Sequence, residues 1–146
     1  MDLQQISDRL EIEDVLIRYT RAIDTGEWDA LDTVFTPDAA IDYTQTGGIA
    51  DAYPKVKAWL AENLPMFPRR MHMLGQVDVR MAPGAEQIGG EAAVAAYFSN
   101  PMILTQQDGS ELLWELGGIY HHRMVRTPDG WRSRELLEEL IWKRRL

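Results

Sequence analysis

An α+β fold is predicted for this chain of 146 residues, with helices in its first part and antiparallel strands in the rest. Three observations predict it. Apolar residues recur at helical spacing as far as Leu64. From residue 69 onward the pattern changes to strand-like runs, punctuated by Pro83-Gly84 and by Thr127-Pro128-Asp129-Gly130. No repeat, low-complexity tract or linker-like composition shift divides the chain. Residues 1–146 therefore read as one domain, of ordinary size, with helices on one face of a curved sheet.

The first helix carries Ile12, Val15, Leu16, Tyr19, Ala22 and Ile23 on one face, with Glu11, Glu13, Asp14, Arg18 and Arg21 opposite. Gly26 stops it, because glycine tolerates the left-handed conformation that ends many helices. A short second helix presents Trp28, Leu31, Val34 and Phe35 inward and breaks at Thr36-Pro37-Asp38. A strand follows with Ile41 and Tyr43 on one side. Pro54 suits the first turn of a third helix, whose face is Val56, Trp59, Leu60 and Leu64 and which Pro65 and Pro68 end. Val77 and Val79 then alternate as in a strand. Residues 89–100 are alanine-rich, which favours helix, but their place between strands predicts strand. Residues 111–126 form a long strand, and residues 131–144 return antiparallel, with 135–139 open to a helical reading.

Composition narrows the function classes. Apolar residues are 45% and charged residues 26%, the balance of a soluble globule rather than a disordered chain. The net charge of −8 argues against a nucleic-acid binder, and the one dense basic run, Lys143-Arg144-Arg145, reads as a solvated tail. With no cysteine, disulfides, thiol nucleophiles and cysteine-ligated metals are excluded. The acidic N-terminus lacks an apolar signal region and no stretch is long enough for a bilayer, so a cytoplasmic location with no membrane partner is expected. No metal-ligand spacing, nucleotide-binding glycine loop or serine-hydrolase elbow occurs, so no metal and no cofactor are expected.

Proton chemistry is the class left open. Of the three histidines, His121 and His122 are adjacent and face opposite sides of a strand; if Gly118 and Tyr120 point inward, so does His122. His72 stands alone in Met71-His72-Met73. Each could equally be an ordinary surface or hydrogen-bonded residue. Asp24 lies at the negative end of the first helix dipole, where a nearby cation would relieve it, although a solvated helix-end aspartate is the plainer reading. Tyr19 is about 140° away from Asp24 on an ideal helix, so spacing alone does not bring the two together.

Residues 12–43, with IEDVLIRYTRAIDTGEWDALDTVFTPDAAIDY, resemble SnoaL-like proteins of the nuclear-transport-factor-2-like superfamily. So do RMHMLGQ and the closing GGIYHHRMVRTPDGWRSRELLEELIWKR. The resemblance covers nearly the whole chain and points to the branch of scytalone dehydratase, bile-acid 7α-dehydratase and a hexachlorocyclohexane dehydrochlorinase. It implies a cone: a strongly curved antiparallel sheet wrapped around three N-terminal helices, with a deep apolar pocket at the open end. It also implies a dyad of Asp24, in the motif Asp24-Thr25-Gly26-Glu27-Trp28-Asp29, and His72. Tyr19 and Tyr43 match tyrosines of that branch that contact the substrate. The chain departs from the pattern at Asn100, where the bile-acid enzyme has an aspartate, and at Leu140, where it has an arginine.

The expected activity is a cofactor-independent dehydratase or isomerase acting on a small hydrophobic cyclic molecule, polyketide-, steroid- or aromatic-like. His72 would be the general base and Asp24 its orienting acid. Tyr19, Tyr43 or Tyr120 would donate to a developing oxyanion or departing hydroxyl. Asn100 would orient the substrate and His122 is the candidate acid. Trp28, Phe35, Met66, Met71, Met73, Phe98 and Trp114 would form apolar walls. The alternatives are a non-catalytic small-molecule-binding or accessory protein, and an oligomerisation module with a filled pocket. Trp114, Ile119, Met124 and Trp142 exceed what one concave face needs, which predicts a homo-oligomer, dimer or trimer.

Overall fold

The computed structural model describes residues 1–145. Helix α1 (Leu3–Thr25) is capped at both ends as its sequence dictates. Asp2 accepts from the Gln5 amide while the Gln5 side chain answers the Asp2 amide, and Gly26 closes the helix in the left-handed region at φ 73°. All six apolar residues of the expected face are buried. The second helical stretch, Trp28–Thr33, is a 3-10 helix, and α2 (Tyr53–Asn63) opens on Pro54 as expected.

Seven strands form one open sheet: β1 (Phe35–Asp42), β2 (Ala50–Ala52), β3 (Arg69–Arg70), β4 (Met73–Met81), β5 (Glu91–Thr105), β6 (Glu111–Thr127) and β7 (Gly130–Arg145). The order is β2-β1-β7-β6-β5-β3, with β4 also on β5. All pairings are antiparallel except β1 with β7, so the sheet is mixed rather than purely antiparallel. Residues 91–100 and 135–139 are strand, in keeping with the strand expectation for both. The short helix already stops at Thr33, ahead of its expected breaker, Thr36-Pro37-Asp38. That tripeptide lies inside β1, where the register slips between Phe35 and Ala40, a bulge that accommodates a residue without an amide proton.

Further bulges, between Gly117 and Gly118 and between Arg123 and Met124 on β6 paired to β7, curl the sheet around α1. Gly118 has no room for a side chain, since a Cβ there would stand 1.9 Å from the Glu139 carbonyl oxygen. Two surface expectations are corrected. Lys143-Arg144-Arg145 is no tail but the end of β7, where Arg144 pairs with Glu115 and Arg145 lies 4.3 Å over the Trp114 ring. Met124 is wholly buried within the chain and Trp114 faces inward, so of the residues expected to seek a partner only Trp142 is exposed and Ile119 half-buried. No helix among the described residues is long and apolar enough to cross a membrane.

Candidate functional site

A cavity of about 100 Å³ opens between the C-terminal half of α1, the end of α2 and the concave face of β5, β6 and β7. Its walls include Ile23, Leu60, Leu64, Phe67, Met102 and Leu116, with Trp59 and Trp114 beside them. Polar groups enter from separate elements: Tyr19 from α1, Tyr43 and Thr46 after β1, His72 between β3 and β4, Asn100 from β5, Tyr120 from β6 and Glu138 from β7. No lysine or arginine lines it among the described residues.

The position of His72 follows from Pro101. The Pro101 carbonyl accepts from Met71 N at 3.0 Å, so its missing amide proton lies on the same edge of β5. The ladder breaks there, between β3 and β4. The His72 amide, released from the ladder, donates to Asp24 Oδ2 at 2.8 Å. The ring follows, with Nδ1 2.6 Å from Asp24 Oδ1. The His72 side chain is 3% exposed and that of Asp24 17%. A carboxylate on Nδ1 keeps the proton there and leaves Nε2 as the basic atom.

Tyr19 and Tyr43 share a hydroxyl–hydroxyl hydrogen bond of 2.5 Å. Burial raises the pKa of Tyr19, Tyr43 and Tyr120 above the ordinary tyrosine value, so all three stay protonated donors. Asn100 Oδ1 and Trp114 Nε1 are buried without a partner among the described residues, an acceptor and a donor on the cavity wall.

Three residues expected at the site stand away from the cavity. Phe98 stacks on Tyr120 at 4.1 Å and backs it from behind. Trp28 packs outside, 5.5 Å beneath the Arg70 guanidinium. His122 points inward as its strand phase predicts, but Nδ1 is spent on Ser133 Oγ at 2.9 Å, and burial pushes its pKa down to about 3. It is therefore neutral, with no imidazolium proton to give up as an acid. Phe35 is also absent from the lining, and Met66, Met71 and Met73 are exposed rather than wall-forming.

Glu138 is the site residue that the sequence reading missed. It is 6% exposed, hydrogen-bonded by Thr46, and in no ion pair among the described residues. Burial raises its pKa above the ordinary carboxyl value, opposed in part by Thr46, His72 and Tyr120. A signal existed in its pairing: Glu138 is the cross-strand partner of Tyr120, whose inward phase was legible.

The model of the SnoaL-like domain matches residues 4–136. The chain belongs to the SnoaL-like family. An uncharacterized Mycobacterium tuberculosis protein is 45% identical over 132 residues, covering 90% of this chain and 84% of that protein. Among solved structures, a hexachlorocyclohexane dehydrochlorinase from Novosphingobium barchaimii superposes with a TM-score of 0.78 at 16% identity, over 100% of this chain and 94% of that one. A putative scytalone dehydratase from Novosphingobium aromaticivorans gives 0.76 at 15% identity, over 96% of this chain and 88% of that one. These likenesses place this SnoaL-like chain in the nuclear-transport-factor-2-like fold, with dehydratase-type neighbours. Among the described residues, no group of three His, Asp or Glu is placed to hold a metal ion.

Proposed function

We propose that this SnoaL-like protein is a cofactor-independent lyase or isomerase of the dehydratase type. The observation that carries the reading is His72 on the wall of an apolar cavity, with Asp24 behind it 2.6 Å from Nδ1. His72 Nε2 removes a proton from a substrate carbon, and Asp24 fixes the tautomer and stabilises the imidazolium that forms. The protonated tyrosines Tyr19, Tyr43 and Tyr120 donate to the oxygen that gains charge, and Asn100 orients the substrate. The apolar lining and the cavity volume of about 100 Å³ favour a compact hydrophobic cyclic substrate. The names of the two solved neighbours, a dehydrochlorinase and a putative dehydratase, are eliminations of the same type. The exposed Tyr97, Ile141 and Trp142 support self-association, which light scattering reads as a mass above one chain.

The test is turnover of nitro-substituted benzisoxazole, a ring whose opening requires only a base beside an apolar pocket. The wild-type protein opens it, and H72Q loses about 10²–10⁴-fold with an unchanged circular dichroism spectrum. Equal turnover by H72Q removes the assignment. A non-catalytic binder would instead show ligand-induced melting shifts indifferent to His72.

A further inference from the structure

We propose that Glu138 is the proton donor to the leaving group, working across the cavity from His72. This assignment rests on the base role of His72. The sequence offered His122 for the acid role, and the structure removes it, since its ring is neutral and stands away from the cavity lining. Glu138 is the only carboxyl group among the residues that line the cavity.

Three features of its surroundings suit a donor. No cation is ion-paired with it among the described residues, and its burial shifts it toward the neutral acid, against the partial opposition of Thr46, His72 and Tyr120. Thr46 hydrogen-bonds one oxygen, Oε1, and so fixes the orientation of the carboxyl group on the cavity wall. The groups acting on it are Thr46 from the turn after β1, His72 between β3 and β4, and Tyr120 from β6, and Tyr19 and Tyr43 in the same cavity feel its charge. His72 is the single group among these that becomes a cation.

That arrangement couples the two proton transfers. When His72 takes the substrate proton, its new charge lowers the affinity of Glu138 for its own proton. The acid strengthens as the base is used. In the elimination, the C–H bond breaks to His72 Nε2 and its electron pair forms the new C=C bond. The C–O bond breaks, its pair leaves on oxygen, and Glu138 supplies the proton that makes water. The imidazolium and the carboxylate then return to their starting forms by proton transfer from His72 to Glu138 through the released water.

The experiment compares two leaving groups. Nitro-substituted benzisoxazole releases a strongly stabilised phenolate that gains little from a proton, whereas unsubstituted benzisoxazole releases a more basic one that gains more. E138Q, which keeps the shape but carries no acidic proton, is expected to lose only a few-fold on the nitro compound. On the unsubstituted ring it is expected to lose about 10²-fold. H72Q loses both. Equal losses of E138Q on the two rings overturn the donor role and leave the base role standing, while turnover indifferent to His72 overturns both. Infrared difference spectra of wild type against E138Q at neutral pH give an independent readout: a protonated carboxyl C=O stretch that is missing from E138Q. A carboxylate band in its place overturns the proposal.

Discussion

Two buried carboxyl groups, one near each end of α1, are treated in opposite ways: Asp8 on the helix itself and Glu138 on β7. Near its N-terminus Asp8 is 5% exposed and takes hydrogen bonds from Arg126 at 2.7 Å, Trp131 Nε1 at 3.2 Å and Gln4 at 3.0 Å. Burial alone would raise its pKa, but these donors outweigh burial and the net shift is downward. At the cavity beside the other end Glu138 is 6% exposed, with hydroxyl groups and no ion-paired cation around it among the described residues, and its shift is upward. Similar exposure therefore does not fix the direction: Glu138 is the more deeply desolvated of the two, and Asp8 has the stronger donors. Asp8 is the held carboxyl group of the two, and Glu138 is the one assigned above, as a proposal, to proton donation.

Removing Asp8 should produce the largest change. D8A leaves Arg126 and Trp131 Nε1 without their acceptor, and urea denaturation should show a loss of about 3–5 kcal/mol. His72-dependent turnover per folded molecule should be unchanged.

Next in size is the pH dependence, which has opposite signs at the two ends. The lowered pKa of Asp8 means that its stabilisation is present above its unfolded value of 3.8 and is lost as pH falls through the folded value. The raised pKa of Glu138 means the reverse. Its contribution is present below its unfolded value of 4.5 and is lost as pH rises through the folded value. The stability difference between E138Q and wild type should therefore grow in favour of E138Q on going from acid to neutral pH. Melting curves across that window would sharpen the contrast, and a flat difference would break it.

A smaller effect is expected from E138M, which removes an uncompensated carboxyl group. It should gain about 1 kcal/mol at neutral pH while turnover of the unsubstituted ring falls. The smallest is Y43F, which loses the hydroxyl pair with Tyr19 and about 1 kcal/mol or less of stability in urea.

Legibility in the sequence followed regularity. The buried face of α1, its stop at Gly26 and the inward phase of Tyr120 and His122 are all periodic or capping signals, and each is found. Interrupted periods misled. In β7, Trp131 and Ser133 point inward, and an unbroken alternation would send Glu135, Leu137 and Glu139 the same way. The register slips between Ser133 and Glu135, and Leu136 and Glu138 turn inward instead. Pro37 misled in the same manner, since it is housed in a bulge inside β1 rather than before the strand. The methionines flanking His72 were taken for walls because they are apolar, yet they are exposed where the ladder is broken at Pro101. The meeting of Asp24 with His72 has no local signal in spacing, and the family resemblance alone suggested it.

The grip of Asp24 has a mechanical consequence. One oxygen takes the amide of His72 and the other takes its ring. The edge of the sheet and the ring are thereby pinned to α1 at the same carboxylate, so the imidazole cannot swing away without breaking a bond to the helix. Its aim is set by a backbone tether as well as by its rotamer.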